Sequence, residues 1–159
     1  MKTIDLNCDV GEGINNEELL MPFLSSCNIA CGMHAGDEST MRRVVDLAAS
    51  HEVAVGAHPS FKDRENFGRK EMDLELEEIT NLVKIQILKL KEICEEKGTS
   101  LHHVKPHGAL YNQAAKSSEI SEAIVRAVEE VDPSLQLYGL ADSEMQSACS
   151  GRIPFIAEG

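Results

Sequence analysis

The chain has 159 residues, 27 of them Asp or Glu against 15 Lys or Arg, a formal net charge of -12. Its 42% hydrophobic residues are spread along the whole length, which suits one domain over 1–159 that buries roughly 68–70% of its unfolded surface and excludes a long disordered tail. The acidic balance argues against a nucleic-acid partner, which would need clustered Lys and Arg. No apolar run reaches the ~20 residues of a membrane span and Met1–Cys8 lacks signal-peptide character, so a cytoplasmic protein with no membrane partner is expected.

In chain order, Thr3–Cys8 (TIDLNC) is a short β-like run, and Glu17–Ser25 is predicted as a short helix capped by Asn15–Asn16. Asn28–Cys31 (NIAC) is a second strand. Ser39 then caps a helix in which Met41, Val44, Val45, Leu47 and Ala48 recur at three- and four-residue spacing. Val53–Ala57 (VAVGA) is a continuous apolar run, as in a strand covered on both faces. Glu75–Lys97 is the longest predicted helix, with a stripe of Leu76, Ile79, Val83, Ile87, Leu90 and Cys94, an acidic first turn and a stop at Gly98. His102–Lys105, Ser134–Leu140 and Ile153–Ala157 read as strands, and Ile120–Val131 and Ser143–Cys149 as helices. Six β segments thus alternate with five helical ones without a linker. Such alternation implies a parallel sheet with right-handed crossovers, either open and doubly wound or a (β/α) barrel. No G-x-G-x-x-G or G-x-x-x-x-G-K-[ST] follows a strand, and Gly11-Glu12-Gly13 reads only as a turn.

The five cysteines (Cys8, Cys27, Cys31, Cys94, Cys149) are odd in number and sparse, with no C-x-x-C pair, so buried reduced thiols are expected.

Functional residue types gather at four strand ends: Asp5-Leu6-Asn7-Cys8-Asp9, Cys31 to Asp37, Gly56 to Ser60, and Lys105-Pro106-His107-Gly108. All are carboxyl ends, where parallel α/β folds place their sites. Alternation along the first strand puts Asp5, Asn7 and Asp9 on one face and Leu6, Cys8 and Val10 on the other. Polar groups pointing into a sheet interior must be hydrogen-bonded or bind something. His34 and His58, at equivalent ends of neighbouring strands, form with Asp9 either a His/His/carboxylate cation site or an acid/base cluster. Lys105, on a strand before Pro-His, reads as an anion binder or a base of lowered pKa. His102 and His103 receive no role. Ser60–Met72 lacks helical or strand period; its Asp63, Arg64, Arg69 and Lys70 can grip a phosphate or carboxylate, with Phe61 and Phe67 as anchors, or form a solvated charged loop, the reading preferred for Lys62 and Lys70.

Four continuous stretches, DLNCDVGEG (5–13), NIACGMHAGD (28–37), VGAHPSFKDRENFGR (55–69) and HVKPHGALYNQAA (103–115), together resemble the LamB/YcsF family. The resemblance implies a (β/α) barrel of the glycoside hydrolase/deacetylase type. Family members normally continue past a segment like IAEG (156–159), so the expected barrel is incomplete, with about six strands and an edge that a second copy or a complementing chain would cover.

The resemblance also implies ATP-dependent opening of 5-oxo-L-proline to L-glutamate, with 5-oxoprolinase subunits B and C as partners and a divalent cation either with ATP or in the site. On that reading Asp9 or His58 acts as base, Lys105 and His107 stabilise an oxyanion or phosphate, and Asn7, Asn28, His34, Asp37, Arg64 and Arg69 bind substrate or nucleotide. Two other readings stand beside it. One is a metal-dependent amidohydrolase or deacetylase needing no ATP, with Asp9, His34 and His58 as ligands. The other is a non-catalytic scaffold or binding subunit.

Overall fold

The structure is a computed structural model that describes residues 4–158. Six strands, β1 (Asn7–Val10), β2 (Ser26–Ala30), β3 (Ala54–His58), β4 (Leu101–Val104), β5 (Gln136–Leu140) and β6 (Phe155–Glu158), form one sheet. Between them lie α1 (Glu17–Leu20), α2 (Glu38–Ser50), α3 (Leu76–Glu96), α4 (Gly108–Ala114), α5 (Ser118–Val131) and α6 (Glu144–Cys149). The strands are ordered β1-β2-β3-β4-β5-β6 and every neighbouring pair is parallel. A doubly wound sheet reverses its order at a switch point. This one never reverses, so it is built as a barrel wall.

The wall curls. In a flat sheet β1 and β5 would stand about 19 Å apart, at ~4.8 Å per strand. Yet Tyr138 on β5 donates its hydroxyl to Asp5 Oδ2, just before β1, at 3.0 Å. Lys105, just after β4, likewise comes within 3.8 Å of Asp9 on β1.

The convex face carries the apolar core. Val10, Cys27, Ile29, Val55, Ala57, Val104 and Leu137 alternate along the strands and pack under Val44, Val45, Ile87, Leu90, Ile124 and Val128 of the helices. The apolar stripe of α3 is as its periodicity predicts, except that Leu76, in the first turn, is exposed. The five cysteines are free; burial pushes Cys27, Cys31 and Cys149 up to about 12 and Cys94 to about 11.

From β1 to β5 the concave face carries a run of polar side chains linked by hydrogen bonds. The ladder sets Asn7 beside Ser26 and Asp9 beside Asn28. Ser26 Oγ donates to Asp5, and Asn7 Nδ2 donates to Ser26 Oγ at 2.7 Å. Asn28 Nδ2 donates to Asn7 Oδ1 at 2.5 Å and to Asp9 Oδ1 at 2.7 Å. Asn28 Oδ1 accepts from His103 Nε2 at 2.7 Å, two strands away. That reach depends on Gly56 of β3, where a Cβ would lie 2.1 Å from His103 Nε2. The ring then stacks on Tyr138 at 4.2 Å.

Several element boundaries differ from those the sequence predicts. Thr3 lies outside the described residues, and the first ladder begins at Asn7 and runs on through Asp9 and Val10. The helix expected over Glu17–Ser25 stops at Leu20 and continues as a 3-10 turn, Met21–Phe23, because Pro22 has no N–H to donate. Asn16 occupies its N-cap position but its side chain makes no capping bond. The second strand is Ser26–Ala30 rather than Asn28–Cys31. Asp37, not Ser39, caps α2, its carboxylate accepting from Thr40 N at 2.8 Å. The short helix α4 has no counterpart among the expected elements, since Gly108 follows Pro-His at its start.

Gly56→Ala should destabilise the fold by about 1–3 kcal/mol through overpacking against His103, measured as a lowered urea midpoint. A second outcome concerns pH. Burial, followed by the neighbouring His102, Lys105 and His58 charges, lowers the His103 pKa from 6.5 to about 3. Between those values the unfolded chain holds a proton that the folded chain lacks. Its contribution is therefore level above about pH 7 and falls with pH, by at most ~1.4 kcal/mol per unit. Urea midpoints at pH 7, 6 and 5 should decline less steeply in His103→Gln.

Candidate active site

Beyond the carboxyl ends of β1 to β4, the connecting loops converge. Asp9 is the last inward-facing residue of β1 and Glu12 lies in the turn after it. His34 follows β2, His58 ends β3, and Lys105 and His107 follow β4. Two backbone bonds carry the β3–β4 pairing into the site: Lys105 N donates to Ala57 O and His107 N to Pro59 O, each at 2.9 Å.

Three histidines form the floor. The His34 and His107 rings stack at 3.8 Å with an interplanar angle of 9°, and His58 stands edge-on to both. All three are buried, and Glu12 reaches in with Oε1 2.9 Å from His34 Nε2. The same oxygen lies 3.6 Å from His107 Nδ1 and 3.7 Å from His58 Nε2. Burial, above all, lowers the pKa of His34 and takes His107 to about 4. Glu12 moves the other way. Burial alone would raise it, but its closeness to His34, His58 and His107 brings its carboxyl below the usual range.

The loop Ser60–Met72 covers this floor. Asp63 organises it, accepting from Asn66 Nδ2 at 2.7 Å and from Lys70 N at 3.1 Å. Phe61 is fully buried, and Phe67 packs edge-on to His34 and His107 at 5.3 Å. Gly68, at φ +68°, slots between those histidines, where a Cβ would come within 2.9 Å of both His107 Cδ2 and His34 Cβ.

Beside the floor opens a cleft of about 240 Å³, lined by Asp9, His58, Arg69, Lys105, His107, Tyr111 and Glu158 among others. Lys105 Nζ sits between two carboxylates, 3.1 Å from Glu158 Oε2 and 3.8 Å from Asp9 Oδ1. Tyr111 donates to Glu158 Oε1 at 2.9 Å. Burial would raise the Asp9 pKa, but His58 (Nε2 3.5 Å from Oδ2), Lys105 and the Asn28 amide outweigh it and hold the carboxyl far below its usual value. Lys105, Tyr138 and Glu158 also border a second, wider hollow of about 740 Å³ on the concave face.

Of the residues singled out from sequence, Asp9, His58, Lys105, His107 and Arg69 share the cleft. Asn28 lies one layer below and holds Asp9, and Asn7 in turn accepts from Asn28. His34 belongs to the floor. Two residues are engaged elsewhere. Arg64 donates to Gly32 O at 2.9 Å and Gly36 O at 2.7 Å, fastening the β2–α2 loop, and Asp37 is a helix cap. In the Asp9–His34–His58 set, the carboxylate that converges with the histidines is Glu12, and His107 joins them. Glu12, His103 and Glu158 belong to the site or its support without standing out in the sequence. Glu12 lies in the turn directly after a strand end rich in polar residues, and that position is its signal.

Fold and site define a (β/α)-barrel protein with a histidine–carboxylate centre on the loops after its strands. The chain matches the LamB/YcsF family over residues 4–158 and belongs to that family. It is 48% identical to the A subunit of 5-oxoprolinase from Bacillus cereus (strain B4264), a match covering 99% of this chain and 65% of that protein. It is 51% identical to the protein of the same name from Bacillus cytotoxicus, over 90% of this chain and 59% of that one. The crystal structure of a lactam utilization protein from Thermus thermophilus superposes with a TM-score of 0.96 at 39% identity, covering 99% of this chain and 66% of that one. The chain thus spans about two-thirds of the length of these relatives. Among the described residues no helix is long and apolar enough to cross a membrane.

The neighbours that hold Asp9 ionised give a measurable outcome. Its carboxyl ¹³C resonance should not titrate between about pH 6 and pH 3, where an ordinary Asp does. In Lys105→Met the midpoint should move up toward the ordinary value.

Proposed function

We propose that this chain acts as the A subunit of an ATP-dependent 5-oxoprolinase, opening 5-oxo-L-proline to L-glutamate together with subunits B and C. The observation that carries the reading is the cleft itself, where Lys105 and Arg69 offer positive charge beside an ionised Asp9. Support comes also from the names of the relatives, one set called the A subunit of 5-oxoprolinase and a solved structure called a lactam utilization protein.

The chemistry asks for such a cleft. A five-membered lactam is an amide, and water attacks it slowly because its oxygen must take up negative charge. Transfer of the γ-phosphoryl group of ATP to the amide oxygen releases ADP and converts that oxygen into part of a leaving group. Water then adds to the ring carbon, the C–N bond breaks, the nitrogen takes up a proton, and an acyl phosphate remains. A second water hydrolyses it to glutamate and phosphate.

In this scheme Lys105 Nζ meets the charge on the amide oxygen or the transferred phosphoryl group. Arg69 pairs with the substrate carboxylate, as a guanidinium fork can. Asp9 is too weakly basic to serve as a strong proton acceptor; it orients the attacking water. Asn28 and Asn7 act through Asp9 and are positioning residues.

The test is release of glutamate and phosphate from 5-oxo-L-proline plus ATP, with subunits B and C present. Lys105→Met and Asp9→Asn should each lower kcat at least about 100-fold. Near-wild-type turnover in both variants would overturn the assignment.

A further inference from the structure

The three buried histidines carry a constraint that the lactam chemistry does not use. Each ring has one nitrogen facing away from the centre toward an oxygen, a backbone carbonyl for His58 and His107 and a hydroxyl for His34. His58 Nδ1 lies 2.6 Å from the Lys105 carbonyl oxygen, and His107 Nε2 lies 2.8 Å from the Phe67 carbonyl oxygen. His34 Nδ1 lies 2.8 Å from Ser60 Oγ, whose own hydrogen goes to the Phe61 carbonyl at 3.0 Å. The outer nitrogens of His58 and His107 must therefore carry the hydrogen, and with the Ser60 hydroxyl turned to Phe61 that of His34 carries it too, which leaves the inner nitrogen of each neutral ring with a bare lone pair.

The inner atoms nevertheless face one another. His58 Nε2 and His107 Nδ1 are 3.0 Å apart, and His34 Nε2 is 2.9 Å from Glu12 Oε1. Four acceptors turned toward one point repel unless something positive lies between them. A tetrahedral zinc ion with bonds of about 2.0–2.1 Å keeps its donors ~3.3 Å apart. Four of the six separations, at 2.9, 3.0, 3.6 and 3.7 Å, bracket that value, and all four donors lie within 4.8 Å of one another. Outward hydrogen bonds from metal-bound imidazoles to carbonyl or hydroxyl oxygens are also the usual support that fixes tautomer and ring angle.

We infer that Glu12 Oε1, His34 Nε2, His58 Nε2 and His107 Nδ1 form a binding site for one divalent transition-metal ion of the zinc class. Three imidazoles and one carboxylate suit zinc, iron, cobalt or nickel better than magnesium or calcium. The four donors come from the carboxyl ends of four successive strands, His58 from the end of β3 and the others from the connections after β1, β2 and β4, so the ion ties these segments together and links to folding.

The test uses the purified chain, stripped with a chelator and titrated with zinc and with cobalt(II), and its readout is independent of lactam turnover. One equivalent of metal per chain is expected, with intense visible bands for cobalt and a melting temperature raised by roughly 5 °C or more at a hundredfold excess over Kd. His34→Gln and His107→Gln should lose stoichiometric binding while keeping the wild-type circular dichroism spectrum. Should either variant fail to fold, the cobalt spectrum of the wild-type chain decides alone. Substoichiometric metal and no four-coordinate cobalt spectrum would overturn the site, leaving shared protons as the positive charge at its centre. Unchanged binding in folded His34→Gln and His107→Gln would overturn it equally.

Discussion

The polar concave face imposes the governing constraint on this fold. A barrel wall turns one side of every strand inward, and here that side carries Asp5, Asn7, Asp9, Ser26, Asn28, His103 and Tyr138. Ser26, Asn28, His103 and Tyr138 are buried there, and a buried amide or hydroxyl left unpaired costs about 1–3 kcal/mol. The protein meets this by linking them in one chain of hydrogen bonds centred on Asn28, which joins β1, β2 and β4 through its single amide. Among the described residues no buried side-chain polar atom lacks a partner. Curvature, the notch at Gly56 and the orientation of Asp9 all follow from that network.

Charge is distributed accordingly. The chain is strongly acidic, and many of its cations are engaged on the outer helical surface: Arg42 with Glu38 and Glu96, Lys84 with Glu130, Arg126 with Glu77 and Glu130. Exposed pairs of this kind contribute little to stability. Their effect is to leave Lys105 and Arg69 as the cations lining the cleft, and the partial burial of Lys105 makes its charge count for more than it would on the surface.

Much of this is legible in the sequence. Strand ends marked by Asp9, His34, His58 and Lys105 fall where parallel sheets place their chemistry, and the period of Ile79, Val83, Ile87 and Leu90 sets the buried face of α3. The order of the strands is not legible, because alternation of β and α segments is common to barrels and doubly wound sheets; only the spatial order separates them. His103 shows no role in the sequence because its partner, Asn28, is 75 residues away and the notch that admits it is an ordinary glycine in an apolar run. Glu12 is hidden for a related reason: between two glycines, nothing local distinguishes an inward carboxylate from one left in water. Local pattern carries α1 too far, across Pro22, and misses α4, where it competes with tertiary contacts such as Ala109 N donating to Gly68 O at 2.9 Å.

Gly68 lies against the histidine floor and away from the helical core. Phe67 and Gly68 both adopt left-handed backbone conformations, and their two carbonyls receive His107 Nε2 and Ala109 N. Any larger residue at 68 would press on the imidazole pair and leave the packing of α3 against α5 untouched. This position therefore uncouples two kinds of failure. Genetic drift there would disturb the register of the histidines before it reached the helical core.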